Sequence, residues 1–149
     1  MSPAEALAGV DAMPLLTSLT MPVRWRDLDA FNHVNNSTYL TYLEEARLHW
    51  FGQLDGPWST DDAAPVVAAV HTNYRRQLGW PAQLAIELHC ERLGNTSLTI
   101  AYRIADAGDR SIVHADGNTV MVWIDGATGK PVALPEVIRR ACSGTRATS

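Results

Sequence analysis

Between Ser37 and Leu54 the residues Tyr39, Leu40, Leu43, Ala46, Trp50, Phe51 and Leu54 fall on one broad apolar stripe at helical spacing. Glu45 lies opposite the stripe and Glu44 near its edge. A helix with so wide an apolar face needs a surface that curves around it, such as a bent sheet, because a narrow partner would leave part of the stripe in water. The Asp- and Asn-rich segment from Asp27 to Asn36 predicts a turn that leads into this helix, and Gly52, Gly56 and Pro57 end it.

The rest of the chain supplies strands. Leu19, Met21, Val23 and Trp25 alternate with more polar neighbours and predict a strand with one buried face. Pro65 precedes the apolar run Val66 to Val70, which continues into His71 to Arg76 as a second strand. Leu84, Ile86, Leu88 and Cys90 alternate with Glu87, His89 and Glu91. After Gly94-Asn95, Leu98, Ile100, Tyr102 and Ile104 alternate again, and Ile112 to Ile124 follows the Ala107-Gly108-Asp109 turn. Pro135 and Glu136 open a short final helix. Short connections between strands imply antiparallel pairing, and one apolar helix against such a sheet is an α+β layer.

A chain of 149 residues fits one domain. With 46% hydrophobic and 19% charged residues it can bury a core and does not read as disordered. The formal net charge of -4 gives nucleic acid and anionic membranes the wrong long-range sign, so neither is expected as a partner. Cys90 and Cys142 form no metal-ligand pattern, and no metal is expected. Cys90 sits in a strand pattern as a small buried hydrophobe, whereas Cys142 falls in a polar tail. Two thiols without a disulfide framework fit a reducing cytoplasm. Met1 to Ser18 carries Glu5 and Asp11 and no basic leader, so it reads as a loose or short helical extension rather than a signal peptide. Ser143 to Ser149 reads as a frayed tail. The core is therefore expected over about residues 19–141.

The run Arg24-Trp25-Arg26-Asp27-Leu28-Asp29-Ala30-Phe31-Asn32-His33-Val34-Asn35-Asn36, followed by Tyr39 and Glu44-Glu45-Ala46-Arg47, resembles the signature of the 4-hydroxybenzoyl-CoA thioesterase family. Tyr74-Arg75-Arg76, Arg92 to Ser97 and Thr128 to Pro135 agree with it, so the resemblance spans about Val23 to Arg140. It implies a hotdog fold, an antiparallel five-stranded sheet wrapped around one long central helix. It further implies a homodimer or a tetramer of dimers with active sites at a subunit interface. The implied substrate is an acyl group on coenzyme A or an acyl carrier protein, with no cofactor beyond the coenzyme A of the substrate itself.

Thioester hydrolysis needs an attacker and a place for the charge that builds on the carbonyl oxygen. The resemblance assigns the first role to Asp29, as nucleophile or as general base toward water. It assigns the second to the backbone amide of Asn36, because the first N–H groups of a helix lack internal partners and carry the positive end of its dipole. From composition alone Asp29 reads as a turn or capping residue; the surrounding motif gives it chemistry. Asp27, two residues earlier, is left as a structural or surface carboxylate. His33 is a loop histidine or a positioning residue, since the family carries other residues there. Asn35 holds the turn or contacts the thioester. Glu44 either pairs with Arg47 or lies near a neighbouring site. Arg75 and Arg76 follow the second strand, where one can reach solvent and the other a phosphate of the carrier. Ser97 falls where the resemblance runs the pantetheine arm.

Two other readings remain open. A hotdog hydratase or dehydratase acts on the same thioesters, but the spacing of Asp29 and His33 does not match its Asp-x-Asn-Pro-x-His motif. A non-catalytic module would bind acyl thioesters without turning them over.

Overall fold

The computed structural model describes residues 9–10 and 12–143. Residues 1–8, 11 and 144–149, which include most of the expected extension and tail, lie outside it. Five strands form one antiparallel sheet: β1 (Leu15–Pro22), β2 (Ala64–Tyr74), β3 (Gln83–Leu93), β4 (Ser97–Asp106) and β5 (Val113–Ile124). Their order in the sheet is β1-β3-β4-β5-β2. The strands joined in sequence by the long helix α1 (Asn36–Gln53) thus sit at opposite edges, and the helix crosses the sheet between them. A short helix α2 (Glu136–Cys142) closes the chain against β3. This is the hotdog arrangement.

The helical stripe packs as its spacing demands. Tyr39, Tyr42, Leu43, Ala46, Trp50 and Phe51 are buried in one core with Leu84, Ile86 and Leu88 of β3 and Leu98, Ile100 and Ile104 of β4. Full burial of a side chain such as Leu43 contributes roughly 1.5–3 kcal/mol. At the far end of α1, Phe51 stacks on Trp58 with ring centroids 4.2 Å apart and meets Trp123 edge-on. Leu40, expected on the stripe, is half-exposed.

Gly117 shows how closely two strands and a tyrosine approach. Its φ is +156°, and a Cβ there would collide with the His71 carbonyl oxygen and lie 2.9 Å from the Tyr102 hydroxyl. That bare backbone lets the Tyr102 hydroxyl reach over β5 and donate to the His71 carbonyl at 3.0 Å on β2.

The structure corrects four expectations. The first strand begins at Leu15 and ends at Pro22, so Leu15 to Ser18 is sheet rather than extension, and Leu16 is buried. Trp25 sits in a 3-10 turn, Trp25–Asp27, not in that strand. Cys142 is not in a polar tail: it is buried in α2, in the same core cluster as Cys90 of β3. Finally, Glu87 and His89, whose alternation suggested an exposed face, are both buried. Glu87 is neutralised there by Arg103, its register partner on β4, and by Arg110. A buried carboxylate persists only where such partners offset its desolvation.

Candidate active site

The segment before α1 carries two aspartates in different surroundings. Asp27 is 5% exposed. Its carboxylate accepts from the Arg24 amide at 2.8 Å, the Arg24 guanidinium at 3.1 Å and the Tyr42 hydroxyl at 2.7 Å. Burial pushes this carboxyl up, but the Arg24 amide, the Tyr42 hydroxyl and the Arg24 charge together outweigh it and hold it below its ordinary value. The Asp27 carbonyl also accepts from the Asn35 amide at 3.2 Å, so one residue ties the 3-10 turn to the helix start.

Asp29 opens the next turn. Its amide donates to the His33 carbonyl and its own carbonyl accepts from the Asn32 amide, each at 3.0 Å. Asn32 takes a left-handed φ of 63°, a conformation asparagine tolerates. One carboxylate oxygen, Oδ1, accepts from the Phe31 amide at 2.9 Å. The other, Oδ2, has no hydrogen-bond partner among the described residues. Leu28 bridges Val34 across the turn, and the Val34 amide donates to the Leu78 carbonyl at 2.8 Å, which fixes the loop to the segment after β2.

Asn35 then caps α1. Its side chain accepts from the Ser37 amide at 2.9 Å and the Ser37 hydroxyl at 2.6 Å, so it holds the turn. Asn36 is the first helical residue, and its N–H has no partner within the helix. The Tyr74 hydroxyl, at the end of β2, donates to the Asn36 carbonyl at 3.1 Å. Tyr39 packs edge-on against Tyr74, with centroids 5.1 Å apart. Burial and the neighbouring Tyr74 push the Tyr39 hydroxyl up to about 12, so it stays protonated at neutral pH and is no base.

Asp29, His33, Asn36, Tyr39, Tyr74, Arg75 and Arg76 line one cleft of about 350 Å³. Most residues expected in the site therefore meet. The two arginines separate in role: Arg75 Nε lies 2.6 Å from Asp116 Oδ2, and Asn73 also reaches that carboxylate at 3.2 Å. Arg76 is exposed and forms no ion pair among the described residues. Ser97 does not join them. It starts β4 beside the β3–β4 hairpin, where its carbonyl accepts from the Gly94 amide at 2.8 Å, at the other end of the strand from the cleft. Glu44 is exposed. Tyr74 and Asp116 are the participants that sequence reasoning missed. Tyr74 stands directly before Arg75-Arg76 at a strand end, which was a usable signal; Asp116, inside a strand 41 positions from Arg75, offered none. Among the described residues no three His, Cys, Asp or Glu side chains gather as a metal site would require.

A carboxylate residue and a helix N-terminus that line one cleft can supply an attacker or base for a carbonyl and a donor for the resulting oxyanion. Comparison with known proteins points to the same chemistry. Residues 23–142 match the Thioesterase-like superfamily. The chain is 34% identical over 119 residues to the long-chain acyl-CoA thioesterase FadM of Escherichia coli (strain K12), covering 78% of this chain and 89% of that protein. Among solved structures, a Xanthomonas campestris protein proposed to be an acyl-CoA thioesterase is 50% identical with a TM-score of 0.70, covering 74% of this chain and 94% of that one. A thioesterase of Thermus thermophilus, solved with coenzyme A and Zn, is 30% identical with a TM-score of 0.74, covering 92% and 97%.

Proposed function

From the premise that this chain belongs to the thioesterase-like superfamily and is a thioester hydrolase, we propose that it cleaves acyl-coenzyme A thioesters with Asp29 as the catalytic carboxylate. The observation that carries this reading is the shared cleft: the half-buried Asp29 and Asn36, the first residue of α1, line the same space. The thioester carbonyl lies between them. Asp29 either attacks the carbonyl carbon or takes a proton from the water that does. Negative charge gathers on the oxygen, which the Asn36 amide and the positive end of the helix dipole receive. Collapse breaks the C–S bond, the thiolate takes up a proton, and water supplies the oxygen of the released acid.

The donor costs the protein little reorganisation. Asn35 satisfies the Ser37 amide and Tyr74 holds the Asn36 carbonyl, so the helix start is held in place while the Asn36 N–H has no partner within the helix. His33 supplies a carbonyl to the Asp29 turn and so positions the carboxylate. Arg76, which forms no ion pair among the described residues, can meet a phosphate of the carrier.

The functional unit in this reading is a homodimer. β2 is an outer strand of the sheet, and Val66, Val67 and Val70 on it are 41%, 44% and 42% exposed. An apolar edge of this kind invites pairing with a second copy. Among the described residues no helix is long and apolar enough to cross a membrane.

Thiol release from a panel of short, long and aromatic acyl-coenzyme A thioesters tests the activity. Free thiol in proportion to enzyme supports it. Binding without release, or loss of enoyl absorbance without thiol, would replace it with a sensor or a hydratase.

A further inference from the structure

Beside the Asp29 cleft lies a second, larger groove of about 550 Å³, and the two share His33, Arg76 and Gln77 as a common wall. Its other side is aromatic. Trp25 and Trp80 stand edge to face, with centroids 5.1 Å apart and planes at 82°, and are 66% and 49% exposed. Indole rings left this open lose apolar burial that a folded chain normally takes up. They lie next to Arg76, a cation without an ion-pair partner among the described residues, and next to the polar Asn32 and Gln77.

We propose that this groove binds the nucleotide end of coenzyme A, with the adenine base stacked on the Trp25–Trp80 pair and a phosphate on Arg76. The inference rests on the thioesterase reading and adds to it which carrier the enzyme takes. The composition of the wall selects the occupant. A saturated acyl chain would desolvate Asn32, His33, Arg76 and Gln77 without giving them partners. A purine presents a π-face to the indoles and hydrogen-bonding edges to the amides, and its phosphates match a guanidinium. The shared wall lets one flexible ligand occupy both depressions, with its thioester at Asp29. An acyl carrier protein delivers the same arm and a phosphate but no base, so the indole pair favours coenzyme A over carrier protein.

The test compares one acyl group on three carriers: coenzyme A, phosphopantetheine and N-acetylcysteamine. The wild type is expected to prefer coenzyme A over phosphopantetheine through KM, and Trp80→Ala or Trp25→Ala to reduce that preference roughly 10-fold. Arg76→Ala should instead reduce the preference for phosphopantetheine over N-acetylcysteamine. Equal kcat/KM on all three carriers in the wild type would overturn the proposal. So would Trp variants that lower kcat/KM equally on all three, which would place the acyl group in the groove. Hydrolysis of none would sink the thioesterase reading while leaving the groove testable. Calorimetry with adenosine 3′,5′-bisphosphate should then show binding to the wild type that Trp80→Ala weakens roughly 10-fold, and no binding to the wild type refutes the site.

Discussion

The Tyr42 hydroxyl lies 2.7 Å from Asp27 Oδ2, and with the two Arg24 donors it commits that carboxylate to the fold. Two residues on, Asp29 spends one oxygen on the Phe31 amide and keeps the other open. The Asp27-Leu28-Asp29 run thus carries one structural and one available acid, although the two side chains are chemically identical.

Exchange of each for its amide should separate the roles. Asp29→Asn is expected to lower kcat by about 10²–10⁴, the usual worth of a positioned acid–base group, while leaving thermal unfolding near wild type. Asp27→Asn should instead act mainly on stability and far less on turnover of the folded protein. Thiol-release kinetics beside thermal melts measure both, and the reverse ranking would move the catalytic role to Asp27.

Asp27 also predicts an acid limb in the stability profile. Its carboxyl sits below the ordinary 3.8, so folding favours the ionised form. The stability it contributes is fully present above that ordinary value and is lost as pH falls through the lower folded value. Denaturant midpoints should therefore drop in wild type below about pH 4, and Asp27→Asn should flatten that drop. At neutral pH the same variant should cost about 1.5–3 kcal/mol, the worth of hydrogen bonds to a buried charge. Parallel acid curves for the two proteins would contradict this account.

If the helix start receives the oxyanion, backbone position matters more than the Asn36 side chain. Asn36→Ala keeps the N–H and should cost only a few-fold in kcat. Tyr74→Phe removes the hydroxyl that holds the Asn36 carbonyl and should cost more, toward the ~10²-fold that a displacement of about 1 Å can exact. A structure with a bound thioester analogue gives the direct reading: its carbonyl oxygen should lie about 2.7–3.1 Å from the Asn36 nitrogen. An oxygen aimed at His33, with no backbone donor in reach, would remove the role given to Asn36 but not that of Asp29.

In the proposed dimer, the edge of β2 forms the contact between copies. Light scattering at micromolar protein should give a dimer or larger, and Val67→Lys, which places a charge on the apolar edge, should shift it toward monomer. A wild type that stays monomeric would leave each site to be built from one chain.

Much of the fold was legible because it follows from local periodicity. The spacing of Tyr39, Leu43, Ala46 and Trp50 demands a helix with a wide buried face, and the alternation in β3 and β4 demands strands to cover it. The same alternation misled where burial came from outside the pattern. Glu87 reads as solvent-facing until Arg103 and Arg110 are seen to neutralise it. Cys142 reads as tail until Cys90 is found beside it. Leu15 and Leu16 gave too short a run to extend the first strand, whose start is fixed by the pairing of Leu15 with His89 and of Thr17 with Leu88 on β3.

By itself the sequence determined the helix, the sheet and the loop on which the site is built, because hydrophobic period and turn chemistry act between neighbours along the chain. It also marked Asp29, His33, Arg75 and Arg76 as belonging together through their family pattern. Only the tertiary structure decided what each is free to do. Tyr42 occupies Asp27 from 15 residues away, and Asp116 occupies Arg75 from 41. A hydrogen bond spends a donor or an acceptor wherever its partner sits in the chain, so the side chains left over for chemistry become visible only when the strands and the helix have brought those distant partners together.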